Sequence, residues 1–185
     1  MPTPHDFELM RAAFRDVHAA RLHGFALLVT RGDRPAAASA ASHALDEGMR
    51  HIAELRHPER AAAWLRASVV RGLGRRRLHA PASVGPLAGM GVDDALLRSL
   101  RALSLRQRAA IIASAVEGFD ALDVATILGT APAGARRAVA EARRRFLATA
   151  ADAGEEVRYG PLADRVLLVA ARGFSPRHPR VERLS

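Results

Sequence analysis

The chain has 185 residues, 49% of them from the AVILMFWYC set but only 4% aromatic, and 28 Lys plus Arg against 19 Asp plus Glu give a formal charge of +9. It has no cysteine, which excludes a disulfide framework and thiolate metal sites and fits a reducing cytoplasm. No lysine occurs either, so every cation is an arginine, whose planar fork fits phosphate and base edges and makes nucleic acid the leading class of partner.

The apolar mass is Ala, Leu and Val without strand-type alternation, so an all-α fold is expected. "MPTPHDFELM" has no basic region followed by an apolar core and does not read as a signal peptide, and "VLLVAA" is too short to span a bilayer. Phe7, Met10, Phe14, Val17, Phe25 and Leu28 mark one apolar face of a helix over about residues 5–30. Asp33 is a candidate N-cap for a second helix, with Pro35 in its first turn and Ala41, Leu45, Gly48, Ile52 and Leu55 on one face. A third helix starts at Pro58, carries Ala61, Leu65, Val69 and Leu73 inward and ends at the basic run 75–77.

Residues 78–92 combine two prolines and three glycines with almost no charge and read as a linker. The expected division is a three-helix domain over 1–77, the linker 78–92, a second small helical domain over 93–150 and a tail over 151–185. Asp93 is the candidate cap of a helix over 94–103, another helix spans 105–117, and Gly118 follows.

"DVATILGTAPAGARRAVAEARRRF", residues 123–146, is a short helix, a glycine turn and a second helix. Ala135, Val139, Ala142 and Phe146 share one face of the second helix at spacings of four, three and four. Ala133, Arg137, Ala140, Glu141 and Arg144 lie opposite, with Arg136 and Arg143 on the flank. This is the pattern of a helix-turn-helix, whose second helix enters the major groove, and the arginines suit phosphates and guanine edges.

From "LSLRQRAAIIASAVEGFDALDVATILGTAPAGARRAVAEAR" the chain resembles the extracytoplasmic-function group of sigma-70 family transcription factors. The −35-reading domain of that family resembles L-P-x-R-Q-R … E-G-x-S-x-x-E-I-A-x-x-L-G-x-S-x-G-T-V-[KR]-S-R-L-x-R-A-R. Leu103, Arg106, Gln107, Arg108, Glu117, Gly118, Ala125, Leu128, Gly129, Arg136, Ala142 and Arg143 keep it without a gap. "GDRPAAASAASHALDEGMRHIAELRHPERAAAWLR" is similar to the domain that binds core RNA polymerase and opens the −10 element, with Gly32, Asp33, Pro58, Trp64 and Leu65 in place. The resemblance implies a non-catalytic DNA-binding specificity subunit with promoter DNA and RNA polymerase core as partners, and an anti-sigma protein as a further one.

It also implies site residues. Arg136, Arg137, Arg143 and Arg144 would contact the −35 duplex. Trp64, Arg66, Arg71 and Arg75 would hold the −10 region and its separated strand, where stacking on an aromatic is worth ~1–3 kcal/mol per base. The helix face from Ala38 to Arg50, with Ser39, Ser42, His43 and Asp46, would meet the polymerase. Several positions depart from the family. Its D-x-x-Q-E positions are Ser39, Ser42 and His43 here, and the usual Asn and Asp after Trp64-Leu65 are Arg71 and Arg75. In the recognition helix the usual cap serine is Ala131, the usual threonine is Gly134, and two usual basic positions are Ala138 and Glu141. Such a chain either recognises its partners divergently or regulates without stable polymerase docking.

No enzyme signature competes. His18 and His23 are five apart and His51 and His57 six apart, not the i, i+4 of a helical zinc site, and no P-loop, G-x-G-x-x-G or G-x-S-x-G is present. No cofactor and no metal are expected.

Overall fold

A computed structural model describes residues 4–52, 58–75, 84–90 and 92–152. Its elements are α1 (Pro4–Thr30), α2 (Arg34–Arg50), α3 (Pro58–Gly74), α4 (Gly85–Ala88), α5 (Asp94–Arg101), α6 (Leu105–Ile111), a π-helical turn (Ile112–Val116), α7 (Ala121–Leu128) and α8 (Pro132–Asp152). Among the described residues there is no strand, and the all-α expectation holds. No described helix is long and apolar enough to cross a membrane.

The starts of the helices are written in their caps. Asp33 accepts from the Ala36 amide at 3.0 Å, Asp93 from Leu96 at 2.8 Å, and Asp120 from both Leu122 and Asp123 at 2.8 Å. Ser104 and Gln107 close a reciprocal capping box at the start of α6. Each such carboxylate or hydroxyl satisfies amides that the first helical turn leaves unpaired.

Ala61, Leu65, Val69 and Leu73 are all at most 1% exposed, so the periodicity of α3 does point its apolar stripe inward. Gly48 on α2 shows how closely the first three helices approach. A Cβ there would lie 2.9 Å from Leu65 Cδ2 and 3.1 Å from Phe14 Cζ. The apolar face of α1 needs a correction, because Phe14, Phe25 and Leu28 are buried while Phe7, Met10 and Val17 are 43%, 40% and 60% exposed. For Phe7 and Met10 the cause is length: at ~1.5 Å per residue the 27 residues of α1 outrun the 17 of α2, and α1 is buried only from Phe14 onward; Val17, between the buried Phe14 and His18, lies at the edge of the packed face.

The second correction concerns the linker. Residues 84–90, inside the predicted 78–92 spacer, form α4 and bury Leu87 and Met90, and Val92 is buried too; residues 78–83 and 91, Leu55 and the tail from 153 lie outside the described residues. The two predicted sets of helices share one contiguous apolar core. α7 packs on α3, and α6 packs on both α1 and α3.

One buried side chain ties the two sets of helices together. Arg108, buried on α6, donates from Nε to the Val29 carbonyl at 2.7 Å and from Nη1 to the Leu103 carbonyl. Burial, and then the charge of Arg31, lowers its pKa to about 10, so it stays cationic at neutral pH. The π-helical turn shapes the same contact. Its extra residue per turn is closed by the Glu117 amide on the Ile112 carbonyl at 3.1 Å and brings Glu117 to the seam between α3 and α7.

Candidate nucleic-acid interface

α7 and α8 form the helix pair expected from the sequence. α7 ends in a left-handed glycine, Gly129 (φ 59°, ψ 48°). The Gly129 amide reaches the Thr126 carbonyl at 3.1 Å and the Thr130 amide the Ala125 carbonyl at 3.0 Å, the bond pair of a Schellman motif. Gly129→Ala is therefore expected to cost about 1–2 kcal/mol, from forcing a Cβ into left-handed backbone, measurable as a lower denaturation midpoint with an unchanged m-value.

α8 then runs with Ala135, Ala142 and Phe146 fully buried and Val139 half-buried. The four residues do share the inward face, and Phe146 sits among Leu28, Leu96, Leu100, Ile111 and Ile112. The opposite side of α8 is exposed. Arg136, Arg137, Arg143, Arg144 and Arg145 are all solvent-facing, so the helix carries a cationic ridge outside and an apolar keel inside.

The ridge is partly neutralised at one end. Glu141 pairs with Arg144 at i+3 and with Arg145 Nε at 3.0 Å. The i+4 partner is the one that resolves the acidic residue's presence on this helix, and such exposed pairs are worth only ~0.3–0.5 kcal/mol, so a nucleic-acid phosphate can compete for either arginine. Arg136 and Arg137, one to two turns nearer the start of α8, form no ion pair among the described residues.

Arg136 and Arg143 flank an open groove of about 410 Å³ between α8 and the start of α7, floored by Phe119, Val124 and Val139. Asp120 lines the same groove. Its carboxylate consumes two amides of the first turn of α7 and places a negative charge where a helix N-terminus otherwise attracts anions. Gly134 serves the turn by its size, since a Cβ there would lie 2.5 Å from Thr130 Oγ1.

The residues expected on α3 separate into two groups. Trp64, Arg71 and Arg75 recur at seven and four, one stripe of the helix. Trp64 is half-buried, with the Arg71 guanidinium 5.9 Å above its ring and the His51 ring 5.8 Å away; Arg71 and Arg75 are exposed. Arg76 and Arg77 lie outside the described residues.

Arg66 falls on the other side of α3, and its expected contact with DNA is corrected for this conformation. It is 3% exposed, and its Nε and Nη2 both donate to the Glu117 carboxylate while Nη1 donates to the Ala62 carbonyl at 2.9 Å. Phe119 and Phe25 flank the guanidinium at 4.9 and 5.6 Å. Burial pushes the Glu117 carboxyl above the usual carboxylate range, opposed by the hydrogen bonds and charge of Arg66. The reason for the miss is positional: a two-residue step turns a helix by ~200°, so Arg66 cannot share the stripe of Trp64.

On α2, Ser39, Ser42, His43 and Asp46 are all exposed on one surface. Asp46, the single acid among them, pairs with Arg15 of α1 at 2.8 Å. Among the described residues no cluster of His, Asp and Glu suits a metal ion.

Residues 93–146, from the cap of α5 to Phe146, match a family model described as Sigma-70, region 4. No curated protein matches the chain.

Proposed function

We propose, from the match of residues 93–146 to a family model described as Sigma-70, region 4, that the chain is a transcription initiation factor of the extracytoplasmic-function type. It works in the cytoplasm with RNA polymerase core, by assembly and electrostatics rather than by catalysis, and an anti-sigma protein is its natural inhibitor. α8 reads the −35 element: its keel fixes the helix on α5 and α6, and its ridge faces the major groove. The stripe of Trp64, Arg71 and Arg75 takes the −10 region, and the exposed face of α2 meets the polymerase. The observation that carries this reading is the pair Arg136 and Arg137, exposed and without an ion pair among the described residues, on the outer face of a helix whose inner face buries Ala135, Ala142 and Phe146.

A second reading has its own support. The α2 face offers Ser39, Ser42 and His43 where the family pattern has Asp, Gln and Glu, and Asp46 is already paired with Arg15; a chain built so binds DNA as a regulator without stable polymerase docking. Purified core polymerase, assayed on a promoter library with and without the full chain, distinguishes the two. Chain-dependent initiation at a defined promoter set supports the sigma-factor reading. Duplex binding without any initiation supports the regulator.

Asp120 gives a sharper check on the orientation of the pair. Asp120→Ser keeps a cap of similar strength while removing a charge that repels phosphate, an effect of roughly 1 kcal/mol at an exposed site. Duplex affinity is expected to rise about fivefold, read by fluorescence anisotropy. An unchanged affinity would place the start of α7 away from the backbone.

A further inference from the structure

The inner face of α8 is not closed at Val139. Ala135, Ala142 and Phe146 are fully buried, whereas Val139, on the same face, is only half-buried. Its remaining apolar surface opens into the groove of about 410 Å³ between α8 and the start of α7, a volume within the ~300–1,000 Å³ of small-molecule sites. Small side chains make the space. Ser114, Ala121, Ala135 and Ala140 line it, so the helices meet without filling the gap between them. Phe119, half-buried, gives the floor an aromatic surface and is backed by the Arg66 guanidinium, 4.9 Å from its ring.

Charge selects among the possible occupants. Arg136 and Arg143 stand on the rim, seven residues and therefore about 10 Å apart along the helix, and Asp120 adds one carboxylate. Two guanidiniums and one carboxylate leave the groove a net single positive charge. That balance suits one anionic head on an apolar body and disfavours a polyanion. Arg136 is exposed and in no ion pair among the described residues. A guanidinium there pairs with a carboxylate or sulfonate and, being weakly hydrated, also lies flat on a ring.

We propose that this groove binds a small aromatic or acyl monoanion, its apolar body on Phe119, Val124 and Val139 and its carboxylate or sulfonate head on Arg136. Because the same arginine faces the duplex in the proposed function, ligand and duplex exclude each other, and the chain releases DNA when the ligand is abundant. The site stands on the groove alone; its effect on DNA rests on the proposed role of α8.

Anilinonaphthalene sulfonate is the probe, with phenylnaphthylamine as its uncharged counterpart, both read by fluorescence on the full chain. The sulfonate is expected to bind saturably and about fivefold or more tightly than the amine. Arg136→Gln is expected to weaken the sulfonate by about the same factor, that of one charge-assisted contact, and to leave the amine unchanged. Ala140→Phe, which puts a ring into the groove from an exposed position, is expected to abolish the tight site for both probes. Ala140→Leu takes its place if helicity falls by circular dichroism. Duplex DNA is expected to displace the sulfonate, and excess sulfonate to lower duplex affinity. Equal affinity for the two probes, or sulfonate binding unchanged in Arg136→Gln or in the folded Ala140 variant, overturns the proposal. So does probe affinity that falls as the chain self-associates, which gives the groove to a second copy. Probe and duplex held together, in a chain whose duplex binding needs Arg136, overturns the exclusion. Failure of the parent reading shows elsewhere, as duplex binding indifferent to Arg136 and Arg137 whatever the probes do.

Discussion

Phe146→Ala is expected to cost about 3–5 kcal/mol of stability. The ring is fully buried near the C-terminal end of α8, among side chains of α1, α5, α6 and the π-helical turn. Its truncation opens a cavity that no single neighbour can fill, since the lining residues belong to four separate elements. The void already present there is only about 20 Å³, so the site is closely packed before the change. Because Leu28 of α1 is one of the contacts, the loss propagates into the N-terminal helices. Urea denaturation followed in parallel by circular dichroism and by the fluorescence of Trp64, the only tryptophan, is expected to show both transitions moving together. A Trp64 transition that stays in place while helicity falls early would mean that the two halves melt independently.

The largest expected effect on binding is that of Arg136→Ala with Arg137→Ala. Each side chain, exposed and outside any ion pair among the described residues, has its full charge to offer a duplex. Losing two contacts of about 1–1.5 kcal/mol each lowers duplex affinity by roughly 30- to 150-fold. Arg144→Ala alone is the matched control, because its guanidinium is shared with Glu141 and its removal also frees that carboxylate's remaining charge for Arg145. The double variant should melt like the parent, since neither side chain touches the keel. A change in affinity smaller than that of the control would put the reading surface elsewhere.

What the sequence made legible is whatever depends on local rules. Two helix starts were readable because Asp33 and Asp93 sit where unpaired amides need acceptors, whereas the Asp120 cap of α7 emerges only from the structure. The turn before α8 was readable because Gly129 takes positive φ at low strain. The ridge and keel of α8 follow from a period of 3.6 alone. Contacts between distant residues were not readable in the same way. Arg66 and Glu117 are 51 positions apart and Arg108 and Val29 79 apart, and no spacing rule joins them. A clue existed in composition, since an arginine two residues from Trp64 and another inside the apolar stretch of α6 are out of phase with any exposed stripe. Out-of-phase arginines in helices are the ones to suspect of burial.

The half-exposed stripe of α1 and the compact spacer around α4 have a common explanation. Periodicity tells which residues share a face, not whether a neighbour reaches that face. Phe7 and Met10 keep their phase with Phe14 but stand beyond the packing partners of α1, while Val17, flanked by the buried Phe14 and His18, lies at the edge of the packed face. Leu87, Met90 and Val92 lie in a glycine- and proline-rich stretch with no period, yet they fill space against the core.

The claim that everything functional depends on is that α8 presents its guanidinium groups to a duplex. A salt titration of the full chain on duplex DNA, between about 50 and 200 mM, reads this directly, because each phosphate neutralised adds ~0.9 to the slope of log affinity against log salt. The expected result is a steep negative slope in the parent that becomes shallower by about 2 in Arg136→Ala with Arg137→Ala. Equal slopes in the two chains, or an affinity for duplex that salt does not change, would contradict it.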